Sequence, residues 1–294
     1  MFVHQGHSGC RLELLTADGQ SVVRKSTQSV SYGTRLRRQA DKQEAFSHQT
    51  RLSTISAPPV LSIEDGNGGF SFVMPFVAGL DGVTFVQRSS RGEINALMRQ
   101  LLALVDDYLD QCDWQAFPRE TFEQKLIDIG DKLKTNMLLS KGQAQGAMRE
   151  VQSVLAALAS DEKLPVGHCH GDLTLANMHT LLMGDQLVLI DFLDSFVETP
   201  LQDMVKLRQD TRYMWSSLLY RGQLDRVRHT ITMRYMDAAL DTHFRQHNFY
   251  RKYYPIFQQV SLLRVLSYAT RADIVHHILN CLEHNFTHRT EYER

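Results

Sequence analysis

Cysteine is scarce in this chain and nowhere paired in spacing. Cys10, Cys112, Cys169 and Cys281 lie far apart among 294 residues, a scatter that argues against a disulfide framework and for reduced thiols. Long apolar runs are missing too, since no stretch approaches the roughly 18 residues that a membrane-spanning helix needs. The opening residues MFVHQGHSGC do not read as a signal peptide. A cytoplasmic setting is therefore the expectation, with no membrane as a partner. Charge of one sign is not in excess either. A formal net charge of −1 supplies neither the basic field that would suggest nucleic acid nor an acidic tail. The basic run RLRRQADK (35–42) reads as one solvated helix face. Neither repeats nor low-complexity tracts occur. What remains is 43% hydrophobic and 22% charged, the balance of a soluble globular protein long enough for one large or two ordinary domains.

Two halves differ in character. RLELLT, ADGQ and SVVRKS predict a hairpin that turns at Asp18-Gly19. GTRLRRQADKQEAFSHQTRL predicts a helix, and PPVLSIEDGNGGFSFVMPFV a second hairpin around a Gly/Asn/Asp turn. Strands around a single helix make a small α+β unit. Beyond about residue 90 helix dominates: Ile94, Leu97, Met98, Leu101, Val105 and Tyr108 keep the spacing of one buried helical face. The composition shifts after Gly79, with AGLDG as a hinge, and the predicted division is 1–77 and 78–294.

The helical half is interrupted once, by HGDLTLANMHTLLMGDQLVLIDFLDS (170–195). A carboxylate at 172, a carboxamide at 177 and a carboxylate at 191 stand among apolar residues, where isolated acids are expensive to desolvate. MHTLLM and QLVLI flank Gly184-Asp185, a two-residue hairpin signal. Counting outward from that turn pairs Met178 with Asp191 and brings Asn177 and Asp191 to the same open end. Directly opposed residues lie roughly 4.5–5.5 Å apart at Cβ, so both side chains could bind one hard cation. Oxygen ligands that include a carboxylate suit Mg²⁺, which leans on substrate phosphates for further ligands. Asp172, in the loop that feeds the hairpin, could accept the proton of an attacking hydroxyl. That division of labour is phosphoryl transfer.

His170-Gly-Asp172-x-x-x-x-Asn177 followed by Ile190-Asp191-Phe192 resembles the catalytic loop and metal-binding segment of protein-kinase-like folds. The form HGDLTLANM…IDFLDS is similar to the aminoglycoside phosphotransferase and choline kinase family of small-molecule kinases. The resemblance implies an α+β, two-lobed protein-kinase-like fold. It would have a small β-rich N-terminal nucleotide-binding lobe (1–77) and a larger helical C-terminal lobe with catalytic loop and acceptor site (78–294). It implies ATP and Mg²⁺ as cofactors, Asp172 as base, and Asn177 and Asp191 as metal ligands. Lys25 in VVRK would contact the phosphates, guided by Glu44 in DKQEAF. In FVMPFV, Met74 would be the gatekeeper, and the backbone of Pro75 and Val77 would face adenine. His170 and Asp203 would buttress the catalytic loop. Gly6 and Gly9 could cover the phosphates.

Two departures from regulated protein kinases are informative. Gly171 stands where those enzymes carry an arginine that receives an activation-loop phosphate, and little room is left for such a loop after IDFLDS. Thr174 replaces a lysine beside the γ-phosphate, so Lys206, Arg208 or Arg212 become candidates for the missing charge. Asp194 reads equally as a second ion or substrate contact and as a helix N-cap. His277, Cys281, His284 and His288 share one helix face, read either as a Zn²⁺ ligand set or as the polar flank of the stripe Ile274, Ile278 and Leu282. The implied activity is transfer of the γ-phosphate of ATP to a hydroxyl of a sugar, amino sugar or amino alcohol. A catalytically silent nucleotide-binding regulatory module and a protein kinase are the alternatives. The oligomeric state is left open.

Overall fold

Alternating apolar residues and a tight turn open the chain as a meander. In the computed structural model, which describes residues 2–5, 10–66, 69–157, 163–181 and 186–287, strands β1 (Phe2–Gln5), β2 (Arg11–Ala17) and β3 (Gln20–Thr27) lead into helix α1 (Val30–Gln49). There follow β4 (Ile55–Ser56), β5 (Ser62–Gly66), β6 (Gly69–Pro75), β7 (Gly79–Asp81), α2 (Gly82–Arg88) and α3 (Arg91–Asp110). Next come β8 (Asp113–Ala116), α4 (Arg119–Thr135), α5 (Lys141–Ala157), β9 (Lys163–Val166), a 3₁₀ turn (Leu175–Asn177), β10 (Met178–Leu181) and β11 (Leu187–Leu189). Helices α6 (Pro200–Tyr213), α7 (Trp215–Leu219), α8 (Arg226–Phe244), α9 (Asn248–Tyr268) and α10 (Ala272–Thr287) complete the chain. Among the described residues no helix is long and apolar enough to cross a membrane.

The chain divides into two compact units. One comprises Met1–Asp107, His170–Asp194 and Gln223–His229; the other comprises Tyr108–Cys169, Ser195–Gly222 and Thr230–Arg294. The division is drawn differently from one at 77/78, because the polar stretch after His170 groups with the strands. All the residues expected at the site, from Lys25 to Asp191, belong to the first unit.

That unit holds an antiparallel sheet in the order β1-β2-β3-β6-β5. Asp18 and Gly19 both take positive φ, at 50° and 76°, as a two-residue hairpin turn of the favoured twist requires. Ser29 caps α1 by accepting from the Tyr32 N–H at 3.3 Å, and Leu36 and Ala40 then bury against Phe70, Phe72 and Met74 of β6. A second sheet runs β4-β11-β10-β7. AGLDG, expected as a hinge, is ordered structure: it forms β7, and Asp81 caps α2 by accepting from the Thr84 N–H at 2.9 Å. A Cβ on Gly82 would sit 2.5 Å from the Leu175 carbonyl oxygen, so only glycine lets α2 abut the 3₁₀ turn that carries Asn177.

The β10–β11 register corrects the one counted from the sequence. Met178 pairs with Leu189, not Asp191, and Thr180 with Leu187. The Leu181 N–H donates to Gln186 O at 3.2 Å, so the connection is residues 182–185 rather than a two-residue turn. Those four, including Gly184-Asp185, lie outside the described residues. Asp191 is therefore beyond the ladder, free of cross-strand pairing constraints.

His170 is the strut behind this hairpin. Its Nε2 donates to Ile190 O at 2.9 Å, its Nδ1 accepts from the Asp172 N–H at 3.2 Å, and its ring lies 4.3 Å from that of Phe192. This bonding defines a neutral tautomer. Burial, the largest influence, pulls the imidazole down to about 4 against the opposing pull of Asp172 and Asp191.

In the second unit α9 packs against α4, α5, α6 and α10. Phe117 stacks on Tyr253 at 5.0 Å, and Phe122 meets Phe257 at 5.1 Å. Strands β8 and β9, in a region expected to be helical, form a two-stranded sheet. Arg208 of α6 is buried: it makes a fork with Asp237 at 2.9 and 2.8 Å, reaches Asp241 at 2.6 Å and Tyr250 at 2.9 Å, and lies over the Tyr254 ring. Its charge is thus spent inside the unit, which corrects its candidacy as a phosphate contact. In α10, His277 Nε2 donates to Tyr213 O at 2.8 Å, and burial pushes the Cys281 thiol up to about 12. With Ile274, Ile278 and Leu282 buried beside them, this is a packed flank holding a protonated thiol. His284 and His288 lie outside the side chains described.

Two outcomes follow from this packing. Arg208→Met should destabilise the protein by about 3–5 kcal/mol in urea unfolding, because Asp237 and Asp241 lose their shared cation. Asp237→Asn, which keeps the guanidinium paired with Asp241, should cost distinctly less. As pH falls below the ordinary histidine value of 6.5, the unfolded chain takes up a proton that folded His170 refuses until about 4. Stability contributed by the neutral strut is therefore lost across that window, about 3 kcal/mol at full development. The pH slope of unfolding free energy should be shallower in His170→Gln, and an equal slope would refute the assignment.

Candidate active site

Lys25 occupies β3 opposite Phe72 of β6. It is only 4% exposed, and an ammonium so placed needs an anion. It has one: Nζ forms an ion pair with Asp191 Oδ1. Asp191 takes a positive φ of 61°, a left-handed conformation uncommon outside glycine, asparagine and aspartate. Backbone hydrogen bonds lie on either side. The Ile190 N–H donates to Asn177 O at 3.0 Å, and the Leu193 N–H donates to His170 O at 2.9 Å.

Asn177 ends the 3₁₀ turn with its side chain directed at the preceding loop. Its Nδ2 donates to Asp172 O at 2.8 Å and to Asp172 Oδ2 at 3.0 Å. The amide is thereby oriented, with Oδ1 turned away from Asp172. Asn177 and Asp191 consequently present an amide oxygen and a carboxylate, donor types that a hard cation takes. Asp172 is half-buried, its backbone carbonyl accepting from the Thr174 N–H at 2.7 Å and its own N–H engaged by His170. Between them Gly171 adopts φ 86°, where an arginine would be strained.

The remaining expected residues are distributed as follows. Met74 is buried in the core of the sheet, 3.4 Å from Gln43 Nε2, which also donates to Pro58 O at 2.7 Å. Pro75 ends β6 opposite Val22, and Val77 follows it, half-buried. Glu44 is exposed on α1 and makes no ion pair among the described residues; the cation expected to meet it, Lys25, meets Asp191 instead. Asp194 accepts from Arg38 Nη1 at 2.7 Å. It is not a helix cap, since Thr199 caps α6 by accepting from the Leu201 N–H at 3.3 Å. Asp203 is wholly buried in α6 of the second unit. Gly6 and Gly9 lie outside the described residues. Sequence reasoning missed Arg38 and Lys42, whose Nζ donates to Leu193 O at 2.7 Å. Their i, i+4 spacing inside RLRRQADK was the available signal.

A family model described as the phosphotransferase enzyme family matches residues 2–239. No curated protein sequence matches the chain significantly. Among solved structures, a thermostable mutant of aminoglycoside phosphotransferase APH(4)-Ia in ternary complex with ADP and hygromycin B aligns over 97% of this chain and 92% of its own, at 12% identity and a TM-score of 0.63. A putative fructosamine-3-kinase from Thermobifida fusca aligns over 97% and 93%, at 13% identity and 0.60. A glucosamine kinase aligns over 94% and 76%, at 12% identity and 0.59. Identities this low carry the fold alone, and the fold they carry is the α+β kinase-like one expected from the sequence. With the family match covering most of its length, the chain belongs to the phosphotransferase enzyme family.

Proposed function

We propose that this phosphotransferase moves the γ-phosphate of ATP to a hydroxyl group of a small metabolite such as a sugar, amino sugar or amino alcohol. The observation that carries the reading is the grouping in one unit of Asp172, Asn177, Asp191 and Lys25, with Asn177 bonded to Asp172 and Lys25 ion-paired with Asp191. Asp172 Oδ takes the proton of the acceptor hydroxyl as that oxygen bonds to the γ-phosphorus and the bond to the β,γ-bridging oxygen breaks, releasing ADP. The bond from Asn177 Nδ2 to Asp172 keeps that carboxylate aimed without protonating it. Asn177 Oδ1 and the Asp191 carboxylate would hold Mg²⁺, which when bound neutralises charge on the phosphates. Lys25, ion-paired with Asp191, would also supply positive charge to the phosphates. Met74 lines the adenine end from the core, and the backbone of Pro75 and Val77 supplies its polar edge contacts. The division into a nucleotide-binding portion, 1–77, and a helical portion with the catalytic loop and acceptor site, 78–294, is part of this proposal. Thr174 is buried and neutral, so its hydroxyl can add a hydrogen bond but no charge.

Asp172→Asn should lower kcat by about 10²–10⁴-fold, the usual contribution of a general base, while calorimetry shows MgATP binding little changed. Turnover that survives this substitution would remove Asp172 from the chemistry. Asp191→Ala should abolish the Mg²⁺ dependence of nucleotide binding, and Lys25→Met should weaken ATP binding with the fold retained by circular dichroism. A coupled ADP-release screen over sugars, amino sugars and amino alcohols identifies the acceptor.

A further inference from the structure

Three residues of α1 meet the segment after Asp191 in order. Arg38, Lys42 and Phe46 fall at i, i+4 and i+8, one stripe of the helix. Arg38 Nη1 reaches Asp194 at 2.7 Å, Lys42 Nζ reaches Leu193 O at 2.7 Å, and the Phe46 ring lies 5.2 Å from that of Phe192. The stripe thus reads residues 194, 193 and 192 in succession. Glu44 stands two residues from Lys42, roughly 200° round the helix, and points to solvent. The basic run expected as a solvated face is therefore split by the helical period. Arg35 is exposed, Arg37 pairs with Asp65 on β5, and Arg38 and Lys42 turn toward the segment next to the proposed metal ligand.

We propose that Lys42 and Arg38 are positioning residues that hold the Asp191 segment in its metal-binding conformation. The inference rests on the assignment of Asp191 as a Mg²⁺ ligand. Asp191 sits in a left-handed conformation that aspartate tolerates but does not prefer to extended backbone, and the carbonyl two residues on is where a cation can pin the chain. An ammonium on a carbonyl is a charge-assisted hydrogen bond, and Lys42 is half-buried. Arg38 lies more in solvent, where salt screens its pairing with Asp194, so it contributes the smaller share. Phe46 adds an apolar contact that fixes Phe192 between α1 and His170.

The test is calorimetric titration of the full chain with ADP, in Mg²⁺ and again in EDTA. In Lys42→Met the gain in ADP affinity brought by Mg²⁺ should shrink about tenfold, the scale on which outer-shell partners tune metal sites, with metal-free ADP binding unchanged. Lys42→Arg should keep most of the gain. Arg38→Ala should lose part of it, and that part should diminish at high salt. If Asp191→Ala loses the gain while Lys42→Met and the double variant with Arg38→Ala keep it in full, the clamp is refuted and the metal assignment stands. If Asp191→Ala itself keeps the gain, the metal assignment falls and the clamp with it. Loss of metal-free ADP binding in Lys42→Met would also overturn the proposal, since Lys42 would then be supporting the unit as a whole.

Discussion

The Ile190 N–H donates to the Asn177 carbonyl at 3.0 Å, one step past the last ladder pair of β10 and β11. Asp172, Asn177 and Asp191 are placed around that bond, and Lys25 reaches Asp191 from β3. The bond ends the hairpin, so the chain on one side turns into the loop bearing Asp172 and on the other into the segment bearing Asp191. Because the ladder stops there, Asp191 escapes the alternation of a strand and rotates into a conformation no sheet permits. His170, bonded to Ile190 O from beneath, keeps the join from opening, and it does so without a charge that would need its own partner. A neutral buried imidazole is a stiff brace at ordinary pH and a poor one in acid.

Around that join opposite charges are matched one by one. Lys25 faces Asp191 and Arg38 faces Asp194, while Asp172 is tied to the Asn177 amide. Ammonium and guanidinium groups come from the sheet and α1, and the carboxylates come from the segment behind His170. The electrostatic work of bringing acids together is thus offset before any ligand arrives, a form of preorganisation. The second unit solves a like problem differently: Arg208 gathers Asp237 and Asp241 about one buried cation. There the charge of Arg208 serves cohesion between helices.

How much of this was legible beforehand depended on whether local chemistry or distant pairing made the decision. The Asp18-Gly19 hairpin was readable because two positive φ values in sequence leave few alternatives. The stretch from His170 to Asp191 stood out because polar residues at fixed spacing in apolar surroundings demand a reason, and in the fold they group in one unit. The register of β10 and β11 was misread because it is set by where the ladder closes, at Leu181 and Gln186, and Gly184-Asp185 suggested a tighter turn. The partners β4 and β7, two and three residues long, carry too little periodicity to be seen. Glu44 was expected on a resemblance, whereas the helical period of α1, with Leu36, Ala40, Gln43 and Phe46 buried, turns it outward. The same period, applied to RLRRQADK, would have put Arg38 and Lys42 on one stripe with Phe46, Lys42 half-buried and Arg38 in solvent.

The left-handed backbone at Asp191, with φ 61°, narrows what that position can be. Glycine and asparagine accept such a backbone readily but bring no formal negative charge. Glutamate brings the charge on a longer stem and lacks the short side chain that lets aspartate sit there tolerably. Two independent filters, one conformational and one of charge, overlap at a single amino acid, so the tolerance of this position to change is set as much by a torsion as by the ion pair with Lys25.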